Sequence, residues 1–133
     1  MLTSLDGYDT YSSNRIKIYN AGDLPTDFKL VMPRATFSGL TKIALDDNQL
    51  TFASSKVTDS NDPYICIDTK ANVIYGTTIN SKLSMDGFTG RIYDKYIKSG
   101  DYFKIPVYTG SNPKYITTTG GGAMNIYYDY LYF

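Results

Sequence analysis

The chain has 133 residues, with 13 basic and 13 acidic side chains and no formal net charge at pH 7. All 13 acids are Asp; there is no Glu, no His and no Trp, and only one Cys. These counts exclude Ser–His and Cys–His nucleophiles, imidazole metal ligands, cysteine zinc sites and an intrachain disulfide.

Balanced charge also argues against nucleic acid and anionic membranes as partners, because phosphate binding needs a Lys/Arg excess on one face. No apolar run approaches the roughly 18 residues of a membrane span, so no membrane insertion is expected. The start, Met1-Leu2-Thr3-Ser4-Leu5-Asp6, lacks the basic-then-apolar pattern of a signal peptide. A hydrophobic fraction of 42% suits one domain with a core. Helix formers are scarce, with 6 Ala and no Glu, against 15 Thr, 14 Tyr and 6 Phe. Such a composition favours strands.

Residues 1–13 are polar, with Tyr8 and Tyr11 as the only large groups after Leu5; they read as an arm or linker before a domain over 14–133. From Arg15 onward, alternating segments are broken by turn residues every 8–12 positions, the spacing of a β-sandwich or barrel. Ile16 and Ile18 alternate with Arg15, Lys17 and Tyr19, and the turn Asn20-Ala21-Gly22-Asp23 follows. Phe28, Leu30 and Met32 form one face of a second strand that Pro33 ends. Ile43 and Leu45 pair with Leu50 and Phe52 through a tight turn centred on Asp47-Asn48.

Tyr64 to Ile67 is apolar on both faces and predicts a central strand covered on both sides. Cys66 therefore reads as a small buried hydrophobe rather than a reactive thiol. Asp68 to Asn72 turns this strand back into Val73-Ile74-Tyr75. Over 91–98 two patterns compete. Ile92, Tyr93, Tyr96 and Ile97 have helical spacing with Gly100 as a C-cap, whereas a strand plus a turn is the rival. Tyr102 to Tyr108 alternates, with Pro106 marking an edge or bulge. Lys114 to Thr118, the loop Thr119-Gly120-Gly121-Gly122 and Ala123 to Phe133 read as a closing hairpin. The fold class is thus all-β: an antiparallel β-sandwich of the jelly-roll or galectin-like kind, with at most one short helix.

No catalytic or metal site emerges. The glycine run 120–122 lacks the Lys and hydroxyl of a phosphate loop and leads into a strand. Asp46-Asp47-Asn48 and Asp59-Ser60-Asn61-Asp62 fit turn chemistry and lack the EF-hand spacing. No pair of Asp residues stands out for glycoside hydrolysis. The most unusual stretch is Ile126-Tyr127-Tyr128-Asp129-Tyr130-Leu131-Tyr132-Phe133. Period-2 alternation puts Tyr128, Tyr130 and Tyr132 on one face, and Leu131 and Phe133 with Asn125, Tyr127 and Asp129 on the other. Tyr128, Tyr130 and Tyr132 are the candidate contact row for a partner protein or a sugar, because Leu131 and Phe133 suit burial better; Asn125 and Asp129 argue the opposite way.

The order of segments carries a resemblance. Asn20-Ala21-Gly22-Asp23-Leu24-Pro25 leads into the strand Phe28 to Met32. Tyr64-Ile65-Cys66-Ile67-Asp68 is followed by four turn residues and Val73-Ile74-Tyr75. Tyr96-Ile97-Lys98-Ser99-Gly100-Asp101 runs into Phe103-Lys104-Ile105-Pro106-Val107, and an aromatic strand closes the chain. Over about residues 14–133 this resembles the C-terminal, galectin-like β-sandwich domain of distal tail proteins from long-tailed bacteriophages. The resemblance implies a non-enzymatic structural module of a phage or prophage tail tip or baseplate. Its partners would be other tail, baseplate or receptor-binding proteins. The module would be made in the bacterial cytoplasm without a signal peptide and located in the virion tail tip. It implies no cofactor. The belt domain that builds the hexameric ring of such proteins is not found in these residues, so ring formation is not expected of them. The His, Trp and Glu that galectins use for galactose are absent, so that chemistry does not carry over. The alternative function is a carbohydrate-binding sandwich that aids adhesion to a host cell-wall saccharide.

Overall fold

The computed structural model describes residues 3–12, by their backbone, and residues 14–132. Its strands are β1 (Thr3–Ser12), β2 (Arg15–Ile18), β3 (Phe28–Pro33), β4 (Lys42–Leu45), β5 (Asn48–Phe52), β6 (Tyr64–Asp68), β7 (Val73–Thr77), β8 (Phe88–Ile92), β9 (Ile97–Gly100), β10 (Lys114–Thr119) and β11 (Asn125–Tyr132). One short helix, α1 (Arg34–Gly39), follows β3. All pairings are antiparallel, and the ladder runs β8-β7-β6-β3-β11-β1-β2-β10-β4-β5-β9. The chain is therefore an all-β antiparallel sandwich with one short helix, as its composition and turn spacing predict.

Alternation builds the core. Ile16 and Ile18, Phe28, Leu30 and Met32, Ile43 and Leu45, Leu50 and Phe52, Ile116 and Ile126 all point between the sheets and join one buried cluster. Each such side chain contributes about 1.5–3 kcal/mol by leaving water. β6 lies between β3 and β7 and is covered on both faces, as its apolar pattern predicts. Ile65 and Ile67 face the main core, while Cys66 joins Val31 and Tyr75 in a second cluster on the outer face. The connection between β7 and β8 crosses that face. Its Ser84 hydroxyl lies 2.9 Å from the Tyr75 hydroxyl and donates to Cys66 Sγ at 3.4 Å.

Several expectations are corrected. The segment 1–13, read as an arm or linker, contributes β1. Thr3–Thr10 pairs with β11, and Tyr11–Ser12 pairs with β2, so one strand belongs to both sheets. The β4–β5 turn centres on Asp46-Asp47, since Leu45 pairs with Asn48 and Asp46 takes the positive φ of 53°. Residues 102–108 form no strand. They touch the 20–26 loop through isolated bridges at Ile105 and Tyr108, and the buried Asn20 side chain donates to Ile105 O at 3.3 Å. β10 and β11 are not a hairpin: β10 pairs with β2 and β4, β11 with β1 and β3. Gly120 and Gly121, at φ of 71° and 81°, instead carry the chain from one sheet to the other against Gly39.

The 91–98 segment resolves as a strand plus a turn. β8 ends at Ile92, a 3₁₀ turn over Asp94–Tyr96 follows, and Tyr93 and Tyr96 stack at 6.5 Å. Helix α1 was not expected. Six residues without a capping side chain or an acidic first turn cannot hold a helix alone. Burial of Phe37, and a hydrogen bond from Thr36 Oγ1 to Ala123 O at 3.1 Å, fix it across the end of the sandwich.

Candidate functional site

Register decides the fate of the tyrosine row. Tyr128 and Tyr130 lie on the core side of β11, with Tyr132 at the same parity. Tyr128 is 7% exposed. Its hydroxyl accepts from Tyr19 N at 3.2 Å and donates to Tyr19 O at 3.0 Å. Tyr130 packs against the core edge-on to Tyr19 and Tyr128. Of the expected contact row, Tyr128 and Tyr130 pack against the core, and Tyr128 is closed to a partner. The opposite row, Asn125, Tyr127, Asp129 and Leu131, faces outward under the 78–87 connection. Tyr127 donates to Asn80 O at 3.1 Å, and Lys82 reaches Asp129 at 3.3 Å. Between this row and β3 lies a groove of about 380 Å³, lined among others by Lys29, Lys70, Lys82 and Leu131. Phe133 lies outside the described residues.

Asp59, Asp62 and Asp94 are tied into the scaffold. In the 59–62 turn, Asp59 Oδ1 accepts from Asn61 N at 2.8 Å, the turn chemistry its sequence predicts. Asp62 does more. Its carboxylate is fully buried against Gly76, accepts Arg91 Nε and Nη2 at 2.9 and 2.8 Å, and takes a short hydrogen bond from the Tyr93 hydroxyl. Burial alone would raise its pKa. Hydrogen bonds from Arg91, Thr89 and Tyr93, with the Arg91 charge, outweigh that and hold it below the ordinary carboxylate range. Asp94 accepts from Ile74 N at 2.7 Å and from the Tyr102 hydroxyl at 3.0 Å. Among the described residues no group of three His, Cys, Asp or Glu side chains could hold a metal ion. Burial pushes the Cys66 thiol up to about 11.

Among the described residues, two further surfaces stand out. The first is the edge formed by β8 and the 3₁₀ turn Ser84–Gly87 before it. Leu83, Met85, Phe88 and Ile92 are each 39–59% exposed there. Phe88 and Ile92 pair with Thr77 and Tyr75 on the outer face, and the Phe88 ring meets Tyr75 at 5.7 Å. Arg91, the only charge on β8, turns to Asp62 and Asp59. Sequence reading missed this edge because the four apolar residues mix two periods: Met85, Phe88 and Ile92 have helical spacing, while Leu83 with Met85 and Phe88 with Ile92 have strand parity. Two extra β8 residues between its pairings with Tyr75 and Thr77, with Gly90 at a φ of 90°, return Phe88 and Ile92 to the same face.

The second is the outer face of β2, β10, β4, β5 and β9. These strands hold Arg15, Lys17, Lys42, Lys98 and Lys114 and no carboxylate. Register sets the outward side chains in rungs. Lys17 stands beside Tyr115, then Arg15, Thr117, Ala44 and Gln49 share a line, then Thr119, Lys42, Thr51 and Ser99. At the last rung an open groove of about 670 Å³ runs between Lys42 and Lys98 and includes Ser54 and Ser55. In sequence the signal was the alternation of Arg15 and Lys17 with Ile16 and Ile18, which shows a polar face but not what stands beside it. In comparisons with known proteins, no family model, no curated protein and no solved structure matches the chain.

Proposed function

We propose that the chain is a non-enzymatic docking module of a bacteriophage or prophage tail tip or baseplate, working by contact with neighbouring tail or receptor-binding proteins. The observation that carries this reading is the apolar edge at β8. An edge strand normally protects itself with charge or proline. β8 instead offers Phe88 and Ile92 beside Leu83 and Met85, with its one cation paired to Asp62 and Asp59. Such an edge suits an extended strand of a neighbouring tail protein, whose main chain extends the ladder while its side chains cover the apolar row. The order of segments that resembles distal tail proteins supplies the choice of assembly. Asp46, Asp59, Asp62, Asp68, Asp94 and Asp129 serve turns, ion pairs and backbone donors, which fits a scaffold for contact.

The test is location in particles, by immunogold labelling or cryo-electron microscopy, combined with a Phe88→Ser/Ile92→Ser variant. The expected result is label at the tail tip for the parent and loss of incorporation for a folded variant. Absence of the parent from tail tips, with its gene outside any tail cluster, overturns the assembly. Normal incorporation of the variant overturns the edge. The carbohydrate-binding alternative is favoured by one separate observation, the cationic and hydroxyl-rich face of the second surface.

A further inference from the structure

We propose that the outer face of β2, β10, β4, β5 and β9 binds an anionic polysaccharide. This develops the carbohydrate-binding alternative and uses a different face from the apolar edge. The chain as a whole is neutral, yet these five strands carry five cations and no acid. Lys114 is neutralised by Asp46 at 2.7 Å. Arg15, Lys17, Lys42 and Lys98 have no carboxylate partner among the described residues. Strand spacing and register put Arg15 and Lys42 roughly 12 Å apart, and Lys17 and Lys42 roughly 17 Å. The four cations are thus spread along a diagonal rather than gathered at one point, which fits a polymer with repeated charge better than a single small anion.

Between the cations the face is hydroxyl and amide: Thr117, Thr119, Thr51, Ser99 and Gln49, alternating outward from the buried row. These groups match the hydroxyls of sugar units as donors and acceptors. A single-stranded nucleic acid would instead need bare aromatic platforms for its bases. Tyr115 is the aromatic ring in these rungs, and the Arg15 guanidinium covers it at 4.3 Å from the ring centre. The groove between Lys42 and Lys98 offers the deepest seat, where an acidic group would meet two cations and several hydroxyls.

The test measures binding of the full chain to immobilised polygalacturonate and phosphomannan, with dextran as the neutral polymer and oligothymidylate as the nucleic-acid rival. The triple variant Lys17→Gln/Lys42→Gln/Lys98→Gln removes charge from the face. The control, Lys95→Gln/Lys104→Gln, removes charge elsewhere. The expected result is saturable binding to at least one acidic polymer at low salt, weakened about tenfold or more by the triple variant and little changed by the control. Binding to polygalacturonate alone identifies carboxylate as the recognised group; binding to phosphomannan alone identifies phosphate. Failure of both polymers to bind, tighter binding of oligothymidylate, equal binding of dextran, or equal losses in the two variants each overturns the proposal. The triple variant leaves the apolar edge intact, so its incorporation into particles is judged separately.

Discussion

Replacing Gly76 by Ala tests how the buried Asp62 carboxylate is seated. Gly76 is not among the glycines with positive φ, so its backbone accepts any residue. The obstacle is space. A Cβ at 76 falls on the Asp62 carboxylate, well inside van der Waals contact. Asp62 cannot yield without leaving Arg91 at 2.9 and 2.8 Å and the Tyr93 hydroxyl. Overpacking of this kind costs about 1–3 kcal/mol, and hydrogen bonds to a charged group about 1.5–3 kcal/mol. The Arg91 side chain is 37% exposed and regains water when released, which places the sum near the low end, about 3 kcal/mol for Gly76→Ala. Asp62→Ala alone removes the same bonds without the clash and costs about 2 kcal/mol. In the double variant the new Cβ enters the space the carboxylate left, and Ala replaces a strand glycine with a gain of about 0.5 kcal/mol. The pair should therefore be no worse than Asp62→Ala, a coupling of about 3 kcal/mol. Urea unfolding followed by far-UV circular dichroism reads this as a midpoint drop of about 2 M for Gly76→Ala, given a slope of about 1.5 kcal/mol per molar. A drop under about 0.3 M, or additive losses in the double variant, would refute the reasoning.

Tyr128→Phe keeps the ring in the core but deletes both hydrogen bonds to the Tyr19 backbone, and should lower stability by about 1 kcal/mol in the same urea assay. Cys66, buried with its thiol pushed up to about 11, should react with a thiol reagent at pH 8 only after denaturation; labelling within seconds on the folded protein would contradict this. The Asp62 carboxyl sits below its unfolded value, so its stabilising contribution is complete above the unfolded value of about 3.9 and is lost as pH falls through the folded one. Acid titration of stability should show a steeper decline below about pH 4 for the parent than for Asp62→Ala.

The sandwich was legible where one face is buried and the other wet. Ile16 and Ile18, or Phe28, Leu30 and Met32, announce strand and face together, because a slip of one residue would put all of them in water. What sequence could not announce was pairing. β1 is polar and without clean alternation, and becomes a strand because β11 and β2 both lend it their edges. α1 exists because Phe37 fills the end of the core. Leu131 and Phe133 in the neighbouring row argue for an outward tyrosine row. Yet Asn125 and Asp129 in the other row meet Asn80 and Lys82, and a covering loop with polar partners outweighs the apolar Leu131. A net charge of zero is silent on topology, and the fold gathers five cations on strands that hold no acid.

The seam between β1 and β11 has a consequence for synthesis. Thr3 stands opposite Tyr132, so the strand made first must wait for the strand made last. At a ribosomal pace of about 5–20 residues per second, that delay is on the order of ten seconds. During it the β1–β2, β4–β5 and β6–β7 hairpins can close locally, while β1 and β3 keep the edges that later receive β11. Closing so distant a pair makes the final step slow and leaves unpaired edges exposed until it happens. A nascent polypeptide halted before Asn125 would hold two half-sheets with no strand to stitch them together.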